Sequence, residues 1–290
     1  MIPASFDYVR PGSLEEVLAI LRDREGEAKV LAGGYSLLPL MKLRLAQPSL
    51  LVDLQAVDGL DGIARADDWW RIGGRTTHRT IMGDDALAAD YPVMRDTAGG
   101  IGDPQVRNWG TIGGSCAHAD PSSDWPAVMQ AVGASFVCRS AAGERVLPAR
   151  GFFVDAFQTG IEPTEVLTEV RIPLPAARTG SAYEKLERRA GDFATVGAAA
   201  LLAIGADGRI AAAGLALTAV GDAPFAATDA EAALVGAAPG DEAFTAAARA
   251  AAAQAKPVAD GHGPADYKRA MVREIAIRAL RRAAERATAA

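Results

Sequence analysis

Two short glycine stretches carry most of the chemistry legible in this sequence. Ala32, Gly33, Gly34, Tyr35 and Ser36 follow a short apolar run, Lys29 to Ala32, and precede a helix-like one. Gly110, Thr111, Ile112, Gly113, Gly114 and Ser115 lie in the middle of the chain. Glycines let a backbone approach a ligand closely and turn its N–H groups inward. A helix start adds partial positive charge. The first stretch therefore reads as an anion seat, and the second as the same chemistry with two hydroxyls added. Each alone is also compatible with a plain turn, but two seats suit a diphosphate. Neither reads G-x-x-x-x-G-K-S/T, so an ATP-cleaving loop is not expected. Neither reads G-x-G-x-x-G, which argues against the common dinucleotide fold.

Other reactive residues suggest less. His118 and Asp120 have no further ligands at a fitting spacing, so no metal site is expected. No acid–base pair stands out, and no catalytic residue is assigned. Cys116 reads as a small buried filler, and Arg107 as a partner in a structural ion pair. Trp109, beside the second stretch, is the best candidate for a partner surface. The last helix is basic, with Lys268, Arg269, Arg273, Arg278, Arg281, Arg282 and Arg286. It reads as a solvated face or, more sharply, as a docking surface.

These residues need elements to hold them. Ser13 and Glu16 form a capping box, and Leu14, Val17, Leu18 and Leu21 give the helix it opens one apolar face. Ser36 is placed as the cap of a second short helix. Leu50–Leu54 and Trp69–Gly73 read as strands, with helical patterns around Thr80–Ala89 and Pro92–Gly100. Residues 101–123 read as one long irregular, Gly-rich loop, a length that is usually functional. Asp124 is placed as the cap of a helix reaching Ala131. A hairpin over Ala134–Arg139 and Glu144–Leu147 precedes a strand over Glu165–Pro173. The prolines at 173 and 175 mark a domain boundary near 176, after which alanine dominates. Tyr183–Arg189, Ala194–Ile204 and Ile210–Val220 read as three strands, the last two joined by a turn at Ala206–Gly208. Two helices follow, over Asp241–Ala255 with Asp241 as cap, and over Pro264–Ala287 with Tyr267, Met271, Ile275 and Ala279 on one face.

Composition narrows the class. At 290 residues the chain is long enough for about two domains and needs no disulfide or metal staple. Its 36 acidic residues outnumber 30 basic ones, which argues against a nucleic-acid binder. Two cysteines suit a reducing compartment. The start, MIPASFDYVRPGS, lacks the pattern of a secretory signal, and no apolar run is long enough to span a bilayer. A cytoplasmic protein is expected.

Four blocks in order, AGGYSLLPLMKLRL (32–45), IGDPQVRNWGTIGGSCAHADPSSDWPAVMQAVGA (101–134), EPTEVLTEVRIPLP (162–175) and YEKLERRAGDFATV (183–196), resemble the FAD-binding medium subunit of molybdenum hydroxylases of the carbon-monoxide dehydrogenase and xanthine dehydrogenase type. The resemblance implies an α+β fold. An FAD-binding domain of the molybdenum-hydroxylase (PCMH) type over 1–176, in halves 1–55 and 56–176, precedes a C-terminal domain over 177–290 with a three-stranded antiparallel sheet and helices. It implies FAD on this chain, 2Fe–2S clusters on a small partner and molybdopterin on a large one, assembled as a dimer of heterotrimers. Ala32, Gly33, Gly34, Tyr35 and Ser36 would cradle the diphosphate, and Thr111, Ile112, Gly113, Gly114 and Ser115 would form the second wall. Ile101, Asp124, the backbone at Leu167, Lys185 and Phe193 would complete the site. The first loop has no histidine, so FAD is expected to be non-covalent. The implied role is electron transfer from the clusters to an external acceptor. The alternatives are a self-sufficient flavin oxidase or dehydrogenase, and a flavin-free scaffold.

Overall fold

A computed structural model describes residues 1–289 of the chain. The first unit is a small parallel sheet of β1 (Asp7–Val9), β2 (Ala28–Leu31) and β3 (Leu50–Asp53), with β3 in the middle. Parallel neighbours need crossovers, and α1 (Leu14–Asp23) and α2 (Leu37–Lys42) lie in the connections. Ser13 caps α1 through the Glu16 amide, and Leu14, Val17, Leu18 and Leu21 are buried against β3 as the spacing predicts. Ser36 stands at the cap position of α2, but its side chain makes no capping bond.

The second unit is an antiparallel sheet in the order β4 (Ile63–Arg65), β5 (Trp69–Gly73), β10 (Val166–Pro173), β6 (Ser135–Ser140) and β7 (Gly143–Pro148). A two-stranded ribbon, β8 (Phe153–Asp155) and β9 (Gln158–Thr159), lies between β7 and β10 in the chain. Between β5 and β6 come α3 (His78–Gly83), α4 (Asp85–Asp90), α5 (Pro92–Gly100), α6 (Pro104–Trp109), α7 (Ile112–His118) and α8 (Asp124–Ala131). The expected irregular loop over 101–123 is therefore two short helices. Asp103 caps α6 through the Val106 amide, and Thr111 caps α7 through the Gly114 amide. Both motifs are Asp or Thr three residues before the amide that donates to it, a signal masked by the surrounding glycines.

The third unit is the sheet β11 (Thr179–Leu186), β12 (Val196–Ile204) and β13 (Ile210–Thr218), antiparallel, with a two-residue β14 (Phe225–Ala226) at one edge. It is backed by α9 (Thr228–Leu234), α10 (Asp241–Gln254) and α11 (Ala265–Ala289). The alanines are explained by close packing. A Cβ on Gly180 would overlap the backbone of α11, and one on Gly214 would overlap the Ala131 carbonyl at the end of α8. Every residue of α8 is buried, because it packs on β12 and β13 of the third sheet while its side chains share a core with Phe136, Val170 and Ile172 of the second.

Several placements differ from expectation. The residue capping α10 is Gly240; Asp241 sits in the first turn and pairs with Arg281 at 2.8 Å. The buried stripe of α11 runs through Lys268, Val272, Ile275, Ala279 and Ala283, leaving Tyr267 exposed and Met271 only partly covered. The basic helix is largely an internal staple. Arg282 and Arg286 both reach Asp96 on α5, at 2.8 and 2.6 Å, and Arg282 also holds Glu184. Buried Lys268 pairs with Asp260 at 2.7 Å. Charge-assisted bonds of this kind are worth about 1.5–3 kcal/mol each. Asp96→Asn is expected to destabilise the fold by about 2 kcal/mol in urea melts. An unchanged midpoint would show that the staple contributes nothing.

Candidate functional site

The two glycine stretches meet. Gly33 lies so close to the second stretch that a Cβ there would overlap the Trp109 carbonyl and stand 2.9 Å from the Gly110 Cα. Gly34 has φ +79°, a left-handed conformation that favours glycine. Between these loops and the neighbouring sheets runs a cleft of about 900 Å³, a size typical of cofactor sites.

The first loop has the chemistry expected of it. No carbonyl or side chain among the described residues accepts from the amides of Gly33, Gly34, Tyr35 or Ser36. Four consecutive N–H groups without an acceptor, on residues that line the cleft, offer a nest for an anion. The second stretch differs. The Ile112 amide donates to Thr76, Gly113 to Gly74, Gly114 to the Thr111 hydroxyl and Ser115 to the Thr111 carbonyl. Of this wall's amides only that of Thr111 is left without an acceptor among the described residues; the rest of what it offers is a close glycine surface and hydroxyls. Ile112 does not face the cleft; its side chain is wholly buried in the core of the second unit. The Ser115 hydroxyl pairs with that of Ser123 at 2.8 Å.

Ala32, Ile101, Thr111, Gly113, Gly114, Ser115, Asp124, Leu167, Lys185 and Phe193 all line the same cleft, with the first loop. The Leu167 carbonyl is approached so closely by Gly74 that a Cβ there would overlap it. Phe193 is exposed, on the turn between β11 and β12, and Gly191 of that turn packs on the Gly102 carbonyl. Arg107 makes no ion pair among the described residues. It donates to the carbonyls of Ile101 and Gly102, both at 2.9 Å, and so shapes the loop that carries Ile101.

Asp124 is not the cap of α8; Ser123 occupies that position. The carboxylate of Asp124 instead accepts from the Tyr183 hydroxyl and from Lys185 Nζ at 3.1 Å. Lys185 also reaches the Gly100 carbonyl at 3.2 Å and lies 3.4 Å from Glu187. Burial pushes the Asp124 carboxyl up against the opposing pull of Lys185 and Tyr183, and it pushes the Tyr183 hydroxyl well above its ordinary range. Tyr183 gave no sign in the sequence, since its role depends on β11 lying beside α8. Its ring also requires a glycine opposite: a Cβ on Gly197 would overlap the Tyr183 hydroxyl.

His118 stacks against Phe157 at 5.1 Å between ring centres, and no group of metal-ligating side chains occurs among the described residues. Cys116 is fully buried, and burial raises its thiol above the usual range. Trp109 is 54% exposed beside the cleft. No helix among the described residues is long and apolar enough to cross a membrane.

A free amide nest, a facing glycine wall and a long cleft are features of a nucleotide-cofactor site. Residues 4–175 match the FAD binding domain in molybdopterin dehydrogenase, and residues 181–283 match the CO dehydrogenase flavoprotein C-terminal domain. The chain belongs to this family of FAD-binding oxidoreductase subunits. It is 44% identical over 289 residues to the carbon monoxide dehydrogenase medium chain of Afipia carboxidovorans, covering 100% of this chain and 99% of that one. It is 36% identical to the 6-hydroxypseudooxynicotine dehydrogenase complex subunit alpha of Paenarthrobacter nicotinovorans, covering 99% and 97%. Its fold superposes with a TM-score of 0.96 on a solved carbon monoxide dehydrogenase from Hydrogenophaga pseudoflava that lacks the Mo-pyranopterin moiety. The identity there is 44%, with 99% of each chain covered.

Proposed function

We propose that this chain is the FAD-bearing electron-transfer subunit of a molybdenum-dependent hydroxylase or dehydrogenase of the carbon-monoxide dehydrogenase type. It takes electrons from 2Fe–2S clusters on a small partner and passes them to an external acceptor. Substrate is oxidised at molybdopterin on a large partner, and the complex is a cytoplasmic dimer of heterotrimers. The observation that carries this reading is the run of four unpartnered amides at Gly33–Ser36, held against the second glycine wall in one cleft.

The residues present fit the cofactor. The nest suits a diphosphate, and the volume suits a dinucleotide. When bound, FAD supplies chemistry that accepts one or two electrons, and the protein supplies position and electrostatics. The Gly33–Ser36 amides bind the diphosphate, Thr111 and the glycines at 113 and 114 close the other side, and Asp124 with Lys185 sets the charge at one end. Phe193 and Ile101 flank the mouth and limit access by water. With Tyr35 rather than histidine in the first loop, the attachment is non-covalent. We assign FAD binding to residues 1–176 and the supporting C-terminal domain to 177–290. Trp109, exposed beside the cleft, marks a face toward a partner subunit.

The relatives carry names that imply different substrates, carbon monoxide and 6-hydroxypseudooxynicotine, which agrees with substrate choice lying on another chain. The test is to purify the chain alone and together with 2Fe–2S and molybdopterin partner proteins. The expected result is a yellow chain that turns over no substrate by itself and whose flavin bleaches on substrate addition only in the complex. Turnover by the isolated chain would favour a self-sufficient dehydrogenase, and a colourless chain after incubation with FAD would favour a scaffold.

A further inference from the structure

We infer that His78 is a further cofactor-binding residue: its Nε2–H is the side-chain donor that the second wall of the cleft presents to the diphosphate. The inference rests on the FAD reading above. The second wall spends its amides at Ile112 through Ser115 internally, which leaves the amide and hydroxyl of Thr111 as its own donors and room for a side-chain donor beside them. His78 stands directly behind that wall. Its backbone amide donates to the Gly110 carbonyl at 3.0 Å, and a Cβ on Gly110 would lie 2.7 Å from His78 Nε2. The residue is only 4% exposed yet lines the cleft.

The position of the proton follows from the neighbour on the other side. Trp125 Nε1 donates to His78 Nδ1 at 3.1 Å. An indole nitrogen can only donate, so Nδ1 carries the lone pair and Nε2 the hydrogen. Nε2 finds no acceptor among the described residues, and it is not among the sealed, unpartnered polar atoms. It is thus a donor open to the cleft. Burial and the nearby Arg107 guanidinium bring the imidazole down to about 4, so the ring stays neutral and the donor is present across the physiological range. A bond from this N–H to a phosphate oxygen is charge-assisted.

Two substitutions separate a donor from a mere filler. His78→Gln retains an N–H near the Nε2 position, whereas His78→Leu fills space without one. Full-length protein stripped of flavin is titrated with FAD, and the bound diphosphate is followed by phosphorus NMR at saturating FAD. His78→Leu is expected to weaken FAD binding roughly 10- to 100-fold and to move the phosphorus resonances while leaving the flavin absorbance bands in place. His78→Gln is expected to restore both, and wild-type affinity is expected to be flat between about pH 8 and 6. Unmoved phosphorus resonances in His78→Leu would overturn the assignment, as would failure of His78→Gln to restore affinity when its melting curve matches the wild type. If the wild-type chain itself takes up no FAD, the FAD reading falls and this inference with it. A wild type that binds FAD beside variants that bind equally well defeats the inference alone.

Discussion

Gly33→Ala is expected to weaken FAD binding roughly 10- to 100-fold. The added methyl would overlap the Trp109 carbonyl and crowd the Gly110 Cα. Both obstacles are backbone, so no side chain can swing aside. Forcing a methyl into a packed contact costs about 1–3 kcal/mol, and each 1.4 kcal/mol is tenfold in affinity. The strain falls on the separation between the two walls, which sets how tightly a diphosphate can be held. Gly83→Ala is the control, because a Cβ there meets nothing within 4 Å. Fluorescence titration of the flavin-free protein checks the pair. Wild-type affinity in Gly33→Ala would show that the close approach of the loops is irrelevant to binding.

The second large effect concerns the buried pair at the other end of the cleft. Lys185→Met removes the ammonium that Asp124 faces at 3.1 Å and leaves a carboxylate almost wholly buried, with only the Tyr183 hydroxyl. Breaking one side of such a pair costs about 3–5 kcal/mol, largely because the remaining charge is uncompensated. We expect a loss of about 3 kcal/mol at pH 8, and recovery of most of it in the double variant Asp124→Asn/Lys185→Met. The pH dependence has a definite sign. Burial already raises the Asp124 carboxyl, and loss of the ammonium raises it further. The folded variant therefore holds a proton that the unfolded chain releases, and its stability falls as pH rises through the folded-state value. The deficit against wild type should shrink as pH is lowered. Urea melts of Lys185→Met, Asp124→Asn and the double variant at pH 8 and pH 6 check this, and an uncoupled double variant would refute it.

The same pair bears on the flavin. On the FAD reading, Lys185 would favour the negatively charged reduced ring by attraction, while Asp124 and Glu187, which it contacts, would oppose it. The midpoint potential should therefore fall in Lys185→Met and rise in Asp124→Asn. The sequence places Lys185 in a charged run with Glu184, Glu187, Arg188 and Arg189; only the fold shows that Asp124 and Glu187 are the carboxylates that offset it.

What the sequence determined by itself was local or compositional. The face of α1, the strand Trp69–Gly73, the helix Pro92–Gly100 and the three long strands of the third sheet follow from periodicities within a dozen residues. The four family blocks placed most lining residues of the cleft, because motif order survives where geometry is invisible. Tertiary structure decided the rest. Whether an amide is free depends on which carbonyl lies opposite, and Gly74 and Thr76 are distant in sequence from the second loop whose N–H groups they occupy. Asp124 looks like a cap until β11 brings Tyr183 and Lys185 to it across about sixty residues. The charges of α11 look solvated until α5 supplies Asp96. Hydrogen bonds and ion pairs act over a few ångströms, so the partner of a polar group is settled by packing, whereas the propensity to form a helix or strand is settled by near neighbours in the chain.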